Sequence, residues 1–439
     1  MTDHGTQHTR AAARSDRSPS GIARHGRLRA HPWATFGKVV ASVAVVAVVS
    51  VLGIAGVAAA NLVSGTTHSV HLIGQKPGPI PDIGAIDGGV NILIAASDTR
   101  SGQGGAWGTT ADSSGAGNND VTMLLHLSQD HTHALVVSFP RDLMIPIPSC
   151  PTDNGDSWAQ DQAQLNSTLS LGGLPCTVLT IEKLTGINIP FAGLITFDGV
   201  VAMSNAVGGV QVCVGGAGIH DPDTSLNLNP GEHDLKGAAA AEFLRTRHGV
   251  GDGSDLGRIS KQQVFLSSLV RTIMSNGTLT NPLTIWSLAK AATTHMQLSD
   301  TLDNPTTLYQ IALALKGLNW SNISFVQYPV LDDPANPNRV IPDDESAAVL
   351  NNAIIHDQPV EVTAGTGDGS VTKSSTPLTQ PTAAPTPTST PRHKAKDVPK
   401  STSTPSATST PPTTSAPVNL GDNVHGQTAA TQTCSNGSG

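Results

Sequence analysis

Long apolar runs along the chain predict buried β-strands. The first, Val90–Ala96, is apolar at nearly every position, which is typical of a strand covered on both faces. Val121–Ser128 and His133–Phe139 follow it, joined by the short polar turn Gln129–Thr132. Three later runs also predict strands: Ile189–Ile195, Val210–Val214 and Ile323–Tyr328.

Other segments alternate with these strands, and their composition and flanking residues are typical of helices. They are Leu165–Leu171, Cys176–Leu184, Phe197–Val207, Lys236–Leu244, Leu283–Ala292 and Thr306–Lys316. Because strands and helices alternate along the chain, the pattern predicts an α/β fold.

A further helix begins near residue 254, and part of its inward face is charged. Three glycines between positions 249 and 253 form a loop before it, and Ser254 or Asp255 can cap its N-terminus. The following residues share one face of this helix: Asp255, Arg258, Gln262, Leu266, Leu269 and Ile273. Because the apolar half of that face must look into a core, the polar half also points inward, where unpaired charge is costly.

Two more arginines, Arg245 and Arg247, lie just before this loop and share one side of an extended backbone. Together with Arg258, Lys261 and the nearby aspartates, they predict an anion-binding site, for which phosphate is the best match. The alternative is a salt-bridged helix entrance that binds no ligand.

The N-terminal part of the chain predicts a membrane anchor. Residues 1–38 are polar and basic, whereas Val39–Ala60 carries no charge and, at about 1.5 Å per residue, is long enough to cross a bilayer as a helix. A cleavable signal is the alternative, because the run ends in three alanines, but its length favours an uncleaved anchor. The positive-inside bias predicts a single-pass protein of the cell membrane, with a disordered cytoplasmic segment 1–38 and a transmembrane helix within 39–63.

The part outside the membrane divides into three regions by composition. Residues 64–88 are rich in glycine and proline and predict an extracellular linker. Residues 89–362 hold the strands and helices and form the predicted folded domain. Residues 363–439 are dominated by threonine, proline and serine, which predicts a disordered tail.

Charge and cysteine content narrow the possible partners. A formal net charge of −8 and an isoelectric point near 6.0 argue against a nucleic-acid partner. The four cysteines of an exported chain are compatible with disulfides. Cys434 falls in the predicted disordered tail, and the spacing of Cys150, Cys176 and Cys213 does not decide their pairing. Cys150–Cys176 is preferred, because both flank the same loop-rich segment.

Charged residues also stand at the ends of the predicted strands. Asp98 and Arg100 follow the first strand, and Asp120 precedes the second. Arg141 and Asp142 follow the third strand, and open α/β sheets bind ligands at such strand ends. Because carboxylates repel phosphate, acids beside arginines call for a cation between them, and Mg²⁺ bound by Asp98 and Asp120 fits this requirement. Each residue alone could instead be a turn residue or part of a surface ion pair.

Several stretches in the same order resemble the LytR-CpsA-Psr family of bacterial envelope proteins. The similar region runs from about Gly89 to Thr272 and includes NILIAASDTR, NDVTMLLHL, VVSFPRD, IPFAGLITFDGV, AVGGVQV and FLRTRHGVGDGSDLGRISKQQ. The resemblance implies a three-layer α-β-α sandwich around a mixed central sheet. It also implies a magnesium-dependent phosphotransferase that moves a glycopolymer from a polyprenyl-pyrophosphate carrier onto peptidoglycan as a phosphodiester. Val178–Leu184 and Val200–Val207 would line an apolar groove for the lipid.

The resemblance also implies a role for each charged residue. Asp98 and Asp120 would bind the metal and, with Arg141 and Asp255, carry out the chemistry. The pyrophosphate would be bound by Arg100, Arg141, Arg245, Arg247, Arg258 and Gln262. The family usually has an arginine before the Gln-Gln pair, whereas this chain has Lys261, which keeps the charge but loses the bidentate fork.

Two other functions fit the same residues. A polyprenyl-pyrophosphate pyrophosphatase would use water as the acceptor, whereas a non-enzymatic surface anchor or glycan-binding protein would need the charges only for its structure. The sequence contains no Walker motif, no G-x-S-x-G elbow and no G-x-G-x-x-G after a strand, which argues against those enzyme classes.

Overall fold

The structure is a computed structural model, and it describes residues 69–75, 86, 89–373 and 416–438, except 104, 114, 153–154, 276–277 and 279–280. The predicted cytoplasmic segment and transmembrane helix (1–63), and most of the predicted linker, lie outside these residues. Within the described part of the chain, no helix has both the length and the apolar composition needed to cross a membrane.

The strands of the described chain are numbered in sequence order. They are β1 (Val90–Ser97), β2 (Asn119–Leu127), β3 (Ala134–Phe139), β4 (Met144–Ile147), β5 (Pro151–Thr152), β6 (Gly155–Asp156), β7 (Gln160–Gln164), β8 (Phe191–Ile195), β9 (Val210–Gly216), β10 (Ile219–Asp221), β11 (Leu226–Leu228), β12 (Gly231–Leu235), β13 (Met296–Leu298), β14 (Ile323–Gln327), β15 (Val330–Asp333), β16 (Asn336–Pro342), β17 (Val360–Glu361), β18 (Ser370–Thr372), β19 (Val418–Asn419), β20 (Gly426–Thr428) and β21 (Thr433–Gly437).

A seven-stranded sheet with the order β13-β8-β1-β2-β3-β14-β20 forms the centre of the fold. β1 pairs antiparallel with β2 and parallel with β8, and β3 pairs parallel with β14. The sheet is therefore mixed, as predicted.

The helices lie between the strands along the chain. They are α1 (Thr168–Thr185), α2 (Phe197–Val207), α3 (Ala238–Arg245), α4 (Asp255–Ser275), α5 (Pro282–His295), α6 (Pro305–Lys316) and α7 (Asp344–Ile355). The sequence predicted two helices where α1 stands, and non-helical backbone angles at Gly172 and Gly173 kink this helix between them. At Gly172 a Cβ atom would lie 2.8 Å from the Cβ of Cys150, so only glycine leaves room for the neighbouring disulfide.

Alternate residues of β1 show that the central sheet is covered on both faces. Leu93 packs in a core with Ile181 of α1 and Leu350 of α7. Its neighbour Ile92 points the other way and packs in a second core with Ile311 of α6. Because successive strand side chains alternate between faces, this continuous apolar run predicts burial on both sides. The fold of the domain is thus a three-layer α-β-α arrangement, which confirms the expected class.

The prediction of a disordered tail over residues 363–439 is wrong for residues 363–373 and 416–438, which belong to the fold. β20 extends the edge of the central sheet beside β14, and β21 lies between β9 and β18 in a four-stranded sheet. The segment buries small and apolar side chains, including Leu420, Val424 and Ala429. The composition of this segment led to a wrong prediction of disorder, because the segment has few large apolar residues. Strand pairing and a disulfide hold it in place instead.

Two disulfides tie distant parts of the domain together. Cys150 and Cys176 are bonded, as preferred from the sequence. Cys434, which the sequence placed in a disordered tail, is bonded to Cys213 on β9 across 221 positions of sequence. β21 also pairs with the loop before α4, since Gly251 N donates to Asn436 O at 2.9 Å. The C-terminal segment therefore braces the loop that leads into α4.

Candidate active site

Strand register brings the charged strand ends to one edge of the central sheet. Ser97 at the end of β1 is paired with Asn119 at the start of β2, so Asp98 and Asp120 lie at the same edge. Phe139 at the end of β3 is paired with Thr122, which adds Arg141 to that edge. The predicted convergence of the strand-end charges is therefore confirmed.

The helix α4 supplies the other half of the site. Ser254 caps it, because Gly257 N donates to Ser254 Oγ at 3.0 Å. Asp255 and Arg258 lie one turn apart on the inward face and form an ion pair of 2.5 Å between Asp255 Oδ1 and Arg258 Nη2. The side chains of both are at most 10% exposed, so this charged first turn is buried as the spacing predicted.

A network of ion pairs joins α4 to the sheet edge. Arg141 Nη1 donates to Asp120 Oδ1 at 2.6 Å, and the backbone N–H of Arg141 donates to Asp255 Oδ2 at 3.1 Å. Arg258 Nη2 donates to the Asp120 carbonyl at 2.8 Å. Burial alone would lower the pKa of Arg141, but Asp120, Asp255 and Asp142 together raise it above its ordinary value. Both guanidinium groups are thus fixed in place before any ligand arrives.

The charged residues line one part, here called the opening, of a cavity of about 590 Å³. Eight of the nine predicted site residues line it: Asp98, Arg100, Asp120, Arg141, Arg245, Arg247, Arg258 and Gln262. The ninth, Asp255, is fixed behind them against Arg141 and Arg258. The rest of the lining, here called the interior, is largely apolar and includes Val200, Met203, Val207, Leu266, Leu269 and Ile273. The volume falls in the range of about 300–1,000 Å³ that is typical of ligand pockets.

One of the two predicted apolar walls is correct and the other is wrong. Residues of Val200–Val207 on α2 line the cavity. Val178–Leu184 on α1 instead packs in the core on the other face of the sheet, with Val178 and Ile181 buried there. Periodicity shows that a helix has an apolar face, but it does not show which layer that face meets.

An aromatic platform that the sequence analysis missed positions two of the arginines. The guanidinium carbon of Arg100 lies 4.9 Å from the ring centre of Phe197, and that of Arg245 lies 4.6 Å from the same ring. The ring centre of Trp107 lies 5.8 Å from the guanidinium carbon of Arg245. The indole N–H of Trp107 donates to Asp198 Oδ1 at 2.9 Å. Trp107 is a lone aromatic residue in a glycine- and serine-rich loop, and that contrast was a usable signal.

Neighbouring arginines act on two of the arginines at the opening. Burial and the neighbouring Arg100 lower the pKa of Arg245, although Asp120 partly opposes them. Burial, together with Arg141 and Arg258, likewise lowers the pKa of Arg247. Arginines whose pKa is lowered by neighbouring cations, as in Arg245 and Arg247, would be stabilised by an added anion.

Several guanidinium nitrogens at the opening are buried without a hydrogen-bond partner among the described residues. They are Nε and Nη1 of Arg100 and the Nε atoms of Arg141, Arg247 and Arg258. Because a buried donor without an acceptor is costly, these groups call for a ligand with several acceptor oxygens. A diphosphate supplies such oxygens in the geometry that guanidinium groups bind.

The two predicted metal ligands have different surroundings. Asp98 Oδ1 accepts from Ser113 Oγ at 2.8 Å and from Asn118 N at 2.6 Å, so the loop after β1 folds back onto it. Asp120 is held through Oδ1 by Arg141. Both carboxylates line the same cavity beside the arginines, a donor set that fits Mg²⁺ with waters and phosphate oxygens completing its shell.

Lys261 does not replace the usual arginine as a ligand-binding group. It is fully buried, its Nζ donates to the Thr246 carbonyl, and it lies 5.1 Å from the ring centre of Phe243. Burial lowers its pKa well below the ordinary value. Lys261 thus anchors the end of α3 and the following loop to α4. Gln262 beside it lines the cavity and donates to the Leu244 carbonyl at 3.1 Å.

A second, polar cavity of about 660 Å³ adjoins the first. Arg141 and Arg247 line both cavities. The second cavity also contains Asp142, which accepts from Gln164 Nε2 at 2.8 Å and pairs with Arg339 at 3.4 Å. The two shared arginines therefore stand between an apolar cavity and a polar one.

The chain is similar to several known proteins. The model of the LytR_cpsA_psr family matches residues 63–354. The cell wall biosynthesis protein LcpA of Corynebacterium glutamicum is 30% identical over 277 residues, covering 57% of this chain and 52% of LcpA. The polyisoprenyl-teichoic acid–peptidoglycan teichoic acid transferase TagU of Enterococcus faecalis is 24% identical over 165 residues, covering 38% of this chain and 50% of TagU. The chain thus spans about half the length of each of these relatives. The crystal structure of B. subtilis TagV has a TM-score of 0.48 at 20% identity, covering 61% of this chain and 96% of TagV.

Proposed function

The chain belongs to the LytR-CpsA-Psr family, and from that membership and the site we propose that it transfers a glycopolymer from a polyprenyl-pyrophosphate carrier onto peptidoglycan. Its similarity to a cell wall biosynthesis protein and to a teichoic acid transferase supports a role in attaching wall polymers. The product would be a phosphodiester between the glycopolymer and the wall.

The observation that carries the proposal is the division of one cavity into a cationic opening and an apolar interior. Arg141 and Arg258 at the opening match a diphosphate, whereas Val200 and Leu266 farther in match a hydrocarbon chain. A polyprenyl diphosphate combines these two chemistries in one molecule. A free sugar nucleotide would leave the apolar walls without a partner.

In the proposed reaction, a hydroxyl oxygen of the acceptor attacks the phosphorus atom that carries the glycan. A new P–O bond forms, and the bond from that phosphorus to the bridging oxygen breaks. Polyprenyl phosphate leaves with the bonding electron pair, and the hydroxyl proton passes to Asp98 or Asp120. The acceptor would enter through the polar second cavity, which reaches Arg141 from the other side.

The arginines would hold the diphosphate in line and stabilise charge on its oxygens as the bridging bond breaks. Arg141 and Arg258 are suited to this because Asp120 and Asp255 fix their positions in advance. Asp98 and Asp120 would hold Mg²⁺, which when bound supplies additional positive charge to the phosphate oxygens. The reaction would take place outside the membrane, with the predicted N-terminal helix as anchor.

The test is reconstitution with a defined lipid-linked glycan. The purified chain is incubated with polyprenyl-pyrophosphate glycan, with and without peptidoglycan, and the phosphate is traced by mass spectrometry of muramidase digests. We expect glycan phosphate on peptidoglycan and polyprenyl phosphate as the second product. Release of free glycan phosphate at the same rate without peptidoglycan would instead identify a pyrophosphatase. Lack of turnover under both conditions would favour a binding protein.

A further inference from the structure

A histidine and aspartate cluster lies at the end of the central sheet opposite the active site. His126 is near the end of β2, about 20 Å along the strand from Asp120 at its start. His133 immediately precedes β3, and Asp357 follows α7. One ligand atom from each of these three residues lies within 4.8 Å of the others. The imidazoles are buried, whereas 21% of the Asp357 side chain is exposed, so the cluster can be reached from solvent.

Hydrogen bonds show that His126 lies between two acceptors. Its Nδ1 is 2.9 Å from Asn91 Oδ1, and its Nε2 is 3.0 Å from Asp357 Oδ1. Asn91 cannot present its amide nitrogen instead, because that nitrogen already donates to the Asn188 carbonyl at 3.0 Å. A neutral imidazole donates from only one nitrogen, so the contact with Asp357 needs a second proton or a cation between the two groups.

The neighbouring His133 has a free lone pair. Thr132 Oγ1 donates its proton to Asp130 Oδ1 at 2.7 Å and therefore accepts from His133 Nδ1 at 3.2 Å. In that arrangement a neutral ring carries no proton on Nε2, and this buried atom makes no hydrogen bond of good geometry with the described residues, although the Gln358 backbone lies near the ring. A buried acceptor without a donor indicates a place for a metal ion or a proton donor.

We propose that His126, His133 and Asp357 bind a divalent transition metal ion of the Zn²⁺ class, through Nε2 of each imidazole and a carboxylate oxygen. Two imidazoles and one carboxylate suit Zn²⁺, with water as a fourth ligand, whereas Mg²⁺ prefers sites made only of oxygen. Asn91 would fix the orientation of His126, as outer partners of metal-binding histidines do. Tetrahedral ligands stand roughly 3.3 Å apart, so the 4.8 Å limit leaves a closing movement of at most about 1.5 Å.

Such an ion would fasten α7 to the hairpin between β2 and β3. Asp357 Oδ2 already accepts from Gln129 N in that hairpin at 3.0 Å. Asp357 also has a backbone φ of +52°, which is uncommon for a residue other than glycine and directs its carboxylate toward the histidines. The proposed role is therefore structural, and metal binding would raise the stability of the domain.

The full-length chain, freed of metal with a chelator, is titrated with Zn²⁺ and separately with Mg²⁺ by calorimetry. We expect a tight Zn²⁺ site in the wild type that Mg²⁺ does not occupy. His133→Ala and Asp357→Asn should each weaken that site at least about 100-fold, and Asn91→Ala by about 10–100-fold. His71→Ala is the matched control, because His71 forms an exposed pair with Asp300 at 3.3 Å and has no third ligand in the described part of the chain.

Thermal unfolding followed by circular dichroism, in chelator and in Zn²⁺, shows whether each variant folds. Zn²⁺ should raise the midpoint of the wild type and of His71→Ala, but not that of His133→Ala or Asp357→Asn. Equal Zn²⁺ affinity in the wild type and both cluster variants would overturn the proposal. So would an equal Zn²⁺ shift of their midpoints. In either case His126 and Asp357 form an ordinary ion pair with a doubly protonated imidazole.

Discussion

The opening and the interior of the cavity are built in different ways. At the opening, Asp120, Arg141, Asp255 and Arg258 come from three separate segments and are held by contacts of 2.5 to 3.1 Å. The interior is lined by aliphatic side chains of α2 and α4 that need only similar size and burial. Charged groups act through position, whereas apolar walls act through area. Substitutions at the opening should therefore affect both binding of the diphosphate and the chemical step, and those in the interior should affect binding of the lipid chain.

The largest effect is expected for Arg141→Ala. It removes a cation from both cavities and leaves Asp120 without its ion-pair partner. By analogy with loss of a preorganised donor, the transfer rate should fall by about 10²–10³-fold or more. The initial rate with lipid-linked glycan and peptidoglycan measures this.

Arg271→Ala is the matched control for the opening. Arg271 is also a largely buried arginine on α4, but it contacts Ser268 and the Ala429 carbonyl rather than the cavity. We expect lower thermal stability and an unchanged transfer rate below the melting midpoint. An equal loss of rate in both arginine variants would mean that the opening has no special role.

The next largest effect on the transfer rate is expected for the carboxylates of Asp98 and Asp120. If Asp98 and Asp120 hold Mg²⁺, chelation should stop transfer by the wild type and added Mg²⁺ should restore it. Asp98→Asn and Asp120→Asn should each show a low rate that no longer rises with Mg²⁺. An undiminished Mg²⁺ response in both variants would contradict the metal assignment.

A smaller and selective effect is expected from the apolar wall. Val200→Glu places a charge beside the proposed lipid, and burial of each CH₂ group is worth about 0.8 kcal/mol. The KM for a long-chain carrier should rise at least about tenfold, with little change for a carrier of one or two prenyl units. Val349→Glu, at an exposed position on α7, should change neither. Equal effects on long and short carriers would argue against a lipid in the interior.

The smallest effect on catalysis is expected at the C-terminal brace. Replacing Cys213 and Cys434 together by serine should cost about 2–4 kcal/mol of unfolding free energy, because the disulfide closes a very long loop. The transfer rate below the melting midpoint should fall only modestly, since strand pairing of β21 still supports the loop before α4. Chemical denaturation and initial rates measure the two quantities. An unchanged unfolding free energy would contradict the bracing role.

The sequence predicted those parts of the fold and site that depend on local pattern. The helix Phe197–Val207 has the predicted bounds, because Thr196 precedes it and two glycines end it. The shared inward face of Asp255 and Arg258 follows from helical spacing alone. Convergence of Asp98 and Asp120 follows from antiparallel pairing of neighbouring strands.

Features that depend on distant contacts were not predictable in this way. The order of residues 416–438 rests on pairing with β14 and β9 and on a bond to Cys213. The burial of Lys261 against Phe243 is decided by how α3 meets α4, which spacing does not encode. The wrong assignment of Val178–Leu184 to the lipid wall has the same origin, because the layer that a helix joins is a tertiary property.

The most direct test of the account is to measure how tightly the chain binds polyprenyl pyrophosphate, and to compare each half of that molecule alone. The account predicts that the intact lipid binds far more tightly than either polyprenol or inorganic pyrophosphate. It also predicts that Arg258→Ala weakens binding of the lipid and of pyrophosphate, and that Val200→Glu weakens binding of the lipid and of polyprenol. Binding of the intact lipid no tighter than that of its better half would contradict the claim that one cavity holds both parts of one ligand.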